Sequence, residues 1–391
     1  MPNIQTKSLE LVKFPATFGD YTFEFIATSL RDEKLLFTTY KERSFCLQII
    51  QRESNFLIKG DKLTRISPVS IIQNALKSFA KLHNLTLTFS NIETKNESQK
   101  PKGDLKILKN ASYFEKDFKY DKELWIEVGF GSGRHLLHQA KENPNIQFIG
   151  LEIHRPSIEQ VIKQCKIQEI DNIIISDFDA RVFMQLIKSN SVGRIFVHFP
   201  VPWDKKPHRR IISKSFIEES LRVLKIEGSL ELRTDSENYF AYSYETMQAL
   251  EIYELNIRKN HDLKISSKYE DRWKRQEKNI YDITLINYNE SKEKEPTPKL
   301  TFDKKVNFAD IKKRFIKHIV RDEDCFVHFE EIYQASENSG MIKLSLGAYE
   351  KCEHKYLLFK NNMVQYFPNV SLQIVQNYKS HQKIKEFLYV K

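Results

Sequence analysis

Three glycines at alternate positions, Gly129, Gly131 and Gly133 in "EVGFGSG", let a backbone turn sharply and approach a ligand closely. Glu127 stands two residues before the first of them. Its carboxylate there would either accept a hydrogen bond from a ligand ammonium or direct the loop. Glu152 follows the glycines by about 20 residues, the offset from which a carboxylate reaches ribose hydroxyls. Asp177 and Asp179, in "SDFDAR", come after a further apolar run, where an adenine would lie. Taken together, acids at successive strand ends beside a glycine turn point to a nucleoside site. Dinucleotide sites also open on such a turn, but they want GxGxxG/A, and the third small position is here Arg134. S-adenosyl-L-methionine carries the ammonium that would suit Glu127; a nicotinamide dinucleotide carries none.

A second stretch, "FPVPWDKKPHRR" at Phe199 to Arg210, sets Trp203 among five basic residues, counting His208. Pro200 and Pro202 cannot share a strand interior, since each removes a ladder donor, so a loop begins near His198. Prolines stiffen that loop. Lys205, Lys206, His208, Arg209 and Arg210 would hold phosphates, and Trp203 would either stack on a base or pack as a core residue beneath the loop. Asp235 follows a later strand in "LRTDSENY". If all these turns lie on one sheet edge, Trp203, Lys205 and Asp235 converge on whatever the bound ligand reacts with.

The elements that must position these residues alternate. "LWIEVGF", "IQFIGLE", "NIIIS", "RIFVHF" and "SLELRT" read as strands; "RHLLHQAKEN", "IEQVIKQCKIQEI", "ARVFMQLIK" and "SKSFIEESLRVL", the last with Ser213 as N-cap, read as helices. The pattern predicts βαβ units and a parallel sheet covered on both faces, with ligands beyond the carboxyl ends of the strands. Two polar stretches, Glu93 to Asp104 and Asn287 to Lys299, have linker composition. They divide the chain into an N-terminal part (1–100), a central part (105–290) and a C-terminal part (296–391). The outer parts read as α+β or β-rich: "YTFEFIATSL", "LLFTTY" and "FCLQIIQ" suggest strands in the first, and "MIKLSLGAY", "KYLLF" and "SLQIVQNY" in the last. No internal repeat is legible.

With 391 residues, 40% hydrophobic and 29% charged, the chain has the composition of a soluble protein of two or three domains. Its formal net charge of +10 suits a polyanionic partner. Cys46, Cys165, Cys325 and Cys352 are too scattered for a CxxC metal site and too few for a disulfide framework, so no metal is expected and the thiols read as reduced and cytoplasmic. The start of the chain lacks a signal-peptide layout and no apolar run approaches the ~18 residues of a membrane span, so no membrane partner is expected. Nothing in the sequence calls for an obligatory protein partner.

In order and approximate spacing, "EVGFGSGRHLL", "FIGLEIH", "DARVF", "FPVPWDKKPHRRI", "RTDSENY" and "SSKYEDRW" resemble the motifs of bacterial tRNA (guanine-N7)-methyltransferases. The resemblance covers roughly Leu124 to Tyr288. It implies a class I Rossmann-like methyltransferase fold with a mostly parallel seven-stranded sheet, S-adenosyl-L-methionine as donor, tRNA as partner and N7 of guanosine 46 as acceptor. By motif position it implies cofactor contacts at Glu127, Gly129, Gly131, Glu152 and Asp179, and substrate contacts at Lys205, Asp235 and the "SKYE" run that includes Lys268 and Glu270; Trp203, Arg209 and Arg210 join the substrate set through the loop. One departure stands out: where the family has an aspartate between the two prolines, this chain has Val201. Guanine N7 offers an unprotonated lone pair, so its methylation needs placement rather than a general base. Asp204 is the candidate substitute for an orienting carboxylate. The alternatives are an RNA-binding protein that keeps the fold without the activity, for which Val201 speaks, and a methyltransferase of another polyanion or of a protein. Amino-group methylation fits less well, since Phe199 stands where an Asn or Asp would hold the exocyclic amine.

Overall fold

The structure is a computed structural model that describes residues 2–66, 68–92, 107–116, 118–251, 254–261, 278–349 and 351–390. It divides into a central unit, residues 101–296, and a flanking unit made of residues 1–100 together with 297–391.

The alternation of apolar runs in the central unit builds a sheet from β1 (Leu124–Val128), β2 (Gln147–Leu151), β3 (Ile173–Ser176), β4 (Val192–His198), β5 (Leu224–Thr234), β6 (Glu254–Lys259) and β7 (Tyr281–Ile286). Its order is β3-β2-β1-β4-β5-β7-β6, and β7 alone runs antiparallel to its neighbours. Helices α1 (Arg134–Glu142) and α2 (Arg155–Ile167) cover one face, where Leu136, Val161 and Ile162 pack on Trp125, Phe148 and Phe196. On the other face lie α3 (Ala180–Phe183), α4 (Lys214–Val223) and α5 (Glu237–Gln248), with Phe183, Phe216 and Tyr239 at the centre of a larger cluster. Ser213 caps α4 as expected, accepting from the Phe216 N–H at 3.3 Å. The "ARVFMQLIK" helix is shorter than its pattern suggests: after one turn it tightens into a 3-10 segment, Met184–Leu186. Parallel strands connected by helices bring the ends of β1, β2, β3, β4 and β5 to the same edge, where the chemistry-bearing residues sit.

Strands from the two outer segments of the chain meet in one sheet. The N-terminal half contributes Tyr21–Ser29, Lys34–Tyr40, Arg43–Gln51 and Phe56–Gly60, followed by the helix Ser70–Leu82. The C-terminal half contributes Phe326–Ser336, Ser339–Gly347, Cys352–Lys360 and Met363–Phe367, followed by the helix Val375–Tyr389. Each half thus contains a four-stranded meander followed by a helix, a recurrence of topology that the sequence does not display, and shorter strands such as Asn3–Thr6 and His318–Arg321 complete a sheet of twelve. The two meanders are joined by a short antiparallel contact, Tyr333 opposite Ser29 and Gln334 opposite Thr28. A shared cluster with Ala27, Phe37, Tyr333 and Tyr356 seals it. The outer parts read from the sequence as separate segments therefore form one unit.

Two expectations are corrected here. "SLQIVQNY" is not a strand: only its first residues are extended, and the helix begins at Val375 and buries Asn377, Ser380, His381, Ile384 and Leu388. That three-and-four spacing continues beyond the alternating Leu372 and Ile374 that suggest a strand. Nor is the stretch after Asn287 a free linker. Asn287 is buried, its amide donating to the Leu224 carbonyl at 2.9 Å, and Ser291 and Lys292 accept from Asn190 and Ser189. The other stretch, Glu93 to Asp104, lies outside the described residues.

Candidate active site

The turn after β1 takes its shape from three left-handed glycines, Gly129, Gly131 and Gly133 at φ of 68°, 52° and 72°. Their reasons differ. A Cβ on Gly129 would meet nothing within 4 Å, which leaves that side of the backbone open to a ligand. On Gly133 it would come within 2.2 Å of Val161 Cγ2, so this glycine serves the close packing of α1 on α2. The small residue that a dinucleotide turn places one position later is therefore supplied here by Gly133.

Glu152, at the end of β2, faces the glycine turn. Its Oε2 accepts from the Gly131 N–H at 3.0 Å and its Oε1 from the N–H groups of Ile153 and His154 at 2.8 and 2.9 Å. Asp179 caps α3, accepting from the Arg181 N–H, and is held in a two-pronged ion pair with the Arg181 guanidinium at 3.0 and 2.9 Å. Asp177 turns outward to Arg155 at 3.5 Å. Glu127 departs from the reading as a ligand contact: its buried carboxylate points to the opposite face of β1 and meets His135 Nδ1 at 2.8 Å. Of the two roles open to it, directing the loop is the one this geometry serves, since His135 lies in the first turn of α1. Burial pushes the His135 imidazole down, but the Glu127 carboxylate more than offsets this and raises its pKa. His198, whose ring is 4.5 Å from that of His135, is held well below the ordinary range by desolvation and by the charges of His135 and Arg233.

The loop after β4 reverses abruptly, with Phe199 and Trp203 at φ of 50° and 48°. Its start is tied to β5 by the Phe199 N–H, which donates to the Arg233 carbonyl at 2.7 Å. Its end is fastened by Arg210. That side chain is buried, Nε donating to the Pro202 carbonyl at 2.7 Å and a terminal nitrogen to Asp204 Oδ1 at 3.3 Å, while its guanidinium lies over the rings of Tyr242 and Tyr239. Arg210 is thus a staple and not, as its place in the basic run suggests, a phosphate ligand. Asp204, engaged by that staple, does not line the cavity. Lys205 and Lys206 are exposed and also stay off the cavity wall. Trp203 is no core residue: it is 38% exposed, with the Arg209 guanidinium 5.1 Å above its ring.

Between turn and loop lies a cavity of about 780 Å³. Gly129, Gly131, Glu152 and Asp179 line it on one side; Val201, Trp203, Arg209 and Asp235 line it on the other. Asp235 is paired with Lys278 at 3.1 Å, and Lys278 joins the lining. No motif in the sequence marks Lys278; its place just before β7, whose antiparallel run starts at this edge, is the signal that points to it. Lys268 and Glu270 lie outside the described residues.

The strand order, the glycine turn and carboxylates at two strand ends above one cavity define a class I methyltransferase. A family model described as "Putative methyltransferase" matches residues 121–283. The chain is 40% identical over 395 residues to the tRNA (guanine-N(7)-)-methyltransferase of Wolinella succinogenes, covering 99% of this chain and 100% of that one. It is 39% identical to that of Campylobacter jejuni, covering 100% and 99%, and 32% identical to that of Helicobacter pylori, covering 99% and 98%. The chain belongs to the tRNA (guanine-N7)-methyltransferase family. These matches run through the flanking unit, so the additions read from the sequence are shared with those relatives.

Proposed function

We propose that the protein transfers a methyl group from S-adenosyl-L-methionine to N7 of a guanosine in tRNA, position 46 by the family resemblance. The observation that carries this reading is the single cavity onto which both the glycine turn and the proline-tryptophan loop open. The lining fits the donor: Gly129 leaves room for close approach, Glu152 lines the cavity with one accepting position still unused on Oε2, and Val128, Leu151 and Phe178 supply apolar wall. When bound, that group supplies an electrophilic methyl.

This chain's own residues then place the acceptor. Guanine N7 needs no proton removed, so the protein's task is orientation and exclusion of water. Trp203, stiffened by the prolines and braced by Arg209, presents an aromatic face to a base turned out of its stack. Asp235 and Lys278 offer an acceptor and a donor on the same side of the cavity, suited to the polar edge of guanine. Lys205, Lys206 and Arg209 supply phosphate contacts at the mouth. On this reading the enzyme works in the cytoplasm, with its tRNA. No helix among the described residues is long and apolar enough to cross a membrane.

The test is to incubate purified protein with labelled donor and unmodified tRNA, digest the RNA and identify the methylated nucleoside. The expected product is 7-methylguanosine. Binding of donor and tRNA without any methylated guanine would sink the proposal and favour the RNA-binding alternative.

A further inference from the structure

The net charge of +10 is unevenly divided. Of 62 lysines and arginines and 52 acids, the central unit holds 32 and 31, while the flanking unit holds 30 and 21. Nine of the ten net charges therefore belong to the flanking unit. In the central unit, moreover, many cations are committed internally: Arg210 to Asp204, Arg222 to Glu219, Lys225 to Glu123 and Arg233 to Asp282. Those four are withheld from phosphates, and affinity for RNA grows with the number neutralised.

Within the flanking unit the positive charge is also uneven. Along the helix Val375–Tyr389, Lys379, Lys383 and Lys385 face Asp324, Asp322 and Asp303 at 2.9, 3.7 and 2.9 Å, so that surface is balanced. The same pairs use up two of the acids that follow "KKRFIKHIVR", leaving this run, 312–321, with an excess of cations. It comprises the end of the helix Phe308–Arg314 and the edge strand His318–Arg321. Strand alternation sorts its side chains. His318 stacks on Phe329 at 4.8 Å and Val320 packs on the core, which turns Lys317, Ile319 and Arg321 outward together. Lys317 and Arg321 make no ion pair among the described residues. Ile316 and Ile319 are 72% and 41% exposed beside them. Lys312, hydrogen-bonded to Gln334, borders a groove of about 420 Å³ whose walls include the acid Glu337 and also Thr28 and Ser29, hydroxyl groups of the kind that meet sugar and phosphate oxygens.

We propose that Lys312, Lys313, Lys317 and Arg321, with the exposed Ile316 and Ile319, form an RNA-docking face on the flanking unit that grips the sugar-phosphate backbone of the substrate. The inference rests on the tRNA reading of the active site. Charge complementarity selects the occupant: an acidic backbone offers partners to Lys317 and Arg321, which face outward from one edge roughly 13 Å apart, and to Lys312 and Lys313 at the helix end beside them, where Lys313 now pairs with the exposed Asp310 at 3.8 Å. Cations at an edge strand also discourage strand pairing; that role alone would not require the basic helix end and hydroxyl groove beside it.

The test uses the full-length chain carrying Lys312→Gln, Lys313→Gln, Lys317→Gln and Arg321→Gln together. Affinity for an unmodified tRNA transcript is measured by fluorescence anisotropy across a potassium chloride series. The slope of log affinity against log salt should fall by roughly 3, at 0.7 to 0.9 per lost contact, with affinity down at least about tenfold near 0.1 M salt. Donor affinity and turnover at saturating tRNA should hold. A control with Lys379→Gln, Lys383→Gln and Lys385→Gln should change the slope by less than about 1. An unchanged slope in the first variant, with tRNA still methylated, would overturn the proposal; so would a variant whose only change is lost self-association in sedimentation, which would assign the face to a second copy. If the wild type binds tRNA with the steep slope and methylates no guanine, the reaction assigned above fails while the docking face stands.

Discussion

The two sides of the cavity are built on different terms. On the donor side, the Glu152 carboxylate holds three backbone N–H groups and Asp179 is locked to Arg181, so the shape is set by short bonds among neighbours. On the acceptor side, 199–210 is an exposed loop tied at its first residue to β5 and at its last by one buried guanidinium. The donor side is organised before anything binds, whereas the acceptor side is fixed at its ends and open between them. A small ligand with constant groups suits the first arrangement; a base delivered by a large RNA, which brings its own rigidity, suits the second.

Breaking the staple should separate the two sides most sharply. Arg210→Ala removes a charged hydrogen bond to the Pro202 carbonyl, of a kind worth about 1.5 to 3 kcal/mol. Loss of that much acceptor-side positioning should lower kcat/KM for tRNA by about 10- to 100-fold. Donor affinity should stay within about twofold. Arg210→Lys should not rescue, because an ammonium cannot reach Pro202 and Asp204 in a planar fork while stacking on Tyr242. Should calorimetry show donor affinity falling in step with turnover, the two sides are one structure and the contrast is lost.

A pair of substitutions at Glu152 sharpens the donor half. Glu152→Gln keeps an acceptor for Gly131 but removes the charge; Glu152→Ala removes both. Donor affinity should fall by about 1 kcal/mol in the first and up to about 3 in the second, the range of charge-assisted hydrogen bonds. Equal losses would mean that the carboxylate acts only through its charge, and unchanged affinity in folded protein would remove Glu152 from the donor site.

The same contrast governs what the sequence reveals. Donor-side residues are legible because glycine spacing and strand-end acids are local patterns: Gly129, Gly131, Glu152 and Asp179 all reach the cavity. Acceptor-side roles depend on contacts across the fold. Arg210 looks like its neighbour Arg209, and only the packing of Tyr239 and Tyr242 from α5 distinguishes a staple from an exposed cation. Glu127 likewise reads as a ligand group until strand parity turns it toward His135. The parallel sheet follows from periodicity, but the joining of the two outer segments does not, since a two-residue strand contact, Tyr333 to Ser29 and Gln334 to Thr28, leaves no pattern in either half.

Beneath the glycine turn, the two adjacent histidines should pull stability in opposite directions. His135 has a raised pKa, so its contribution is complete below the unfolded value of about 6.5 and is lost as pH rises through the folded one. His198 has a lowered pKa: the unfolded chain takes up a proton that the folded chain refuses, so stability is lost as pH falls below about 6.5. The wild type should be most stable at about pH 6.5 and decline on both sides, His198 limiting it toward acid and His135 toward alkaline pH. His198→Gln should leave stability declining toward alkaline pH, and His135→Gln should leave it declining toward acid pH, both read by denaturant midpoints. Parallel profiles in both variants would show that the pair does not divide the charge in this way.

The smallest effect is expected at the position where the resemblance implies an aspartate and this chain has Val201. Val201 lines the cavity between two prolines and is 61% exposed, with the backbone reversals at Phe199 and Trp203 on either side of it. Since guanine N7 gives up no proton, a carboxylate at this position would contribute orientation alone, and on the proposed reading Trp203, Asp235 and Lys278, which line the same cavity, supply that orientation. Val201→Asp should therefore change turnover by no more than about threefold, a difference of roughly 0.7 kcal/mol in barrier. Asp204→Asn should leave the pH dependence of turnover unaltered, because Asp204 faces Arg210 and not the cavity. Single-turnover methylation of tRNA by the two variants decides the matter: a gain well above threefold in Val201→Asp would mean that the acceptor side lacks an orienting group that the rest of the loop does not replace.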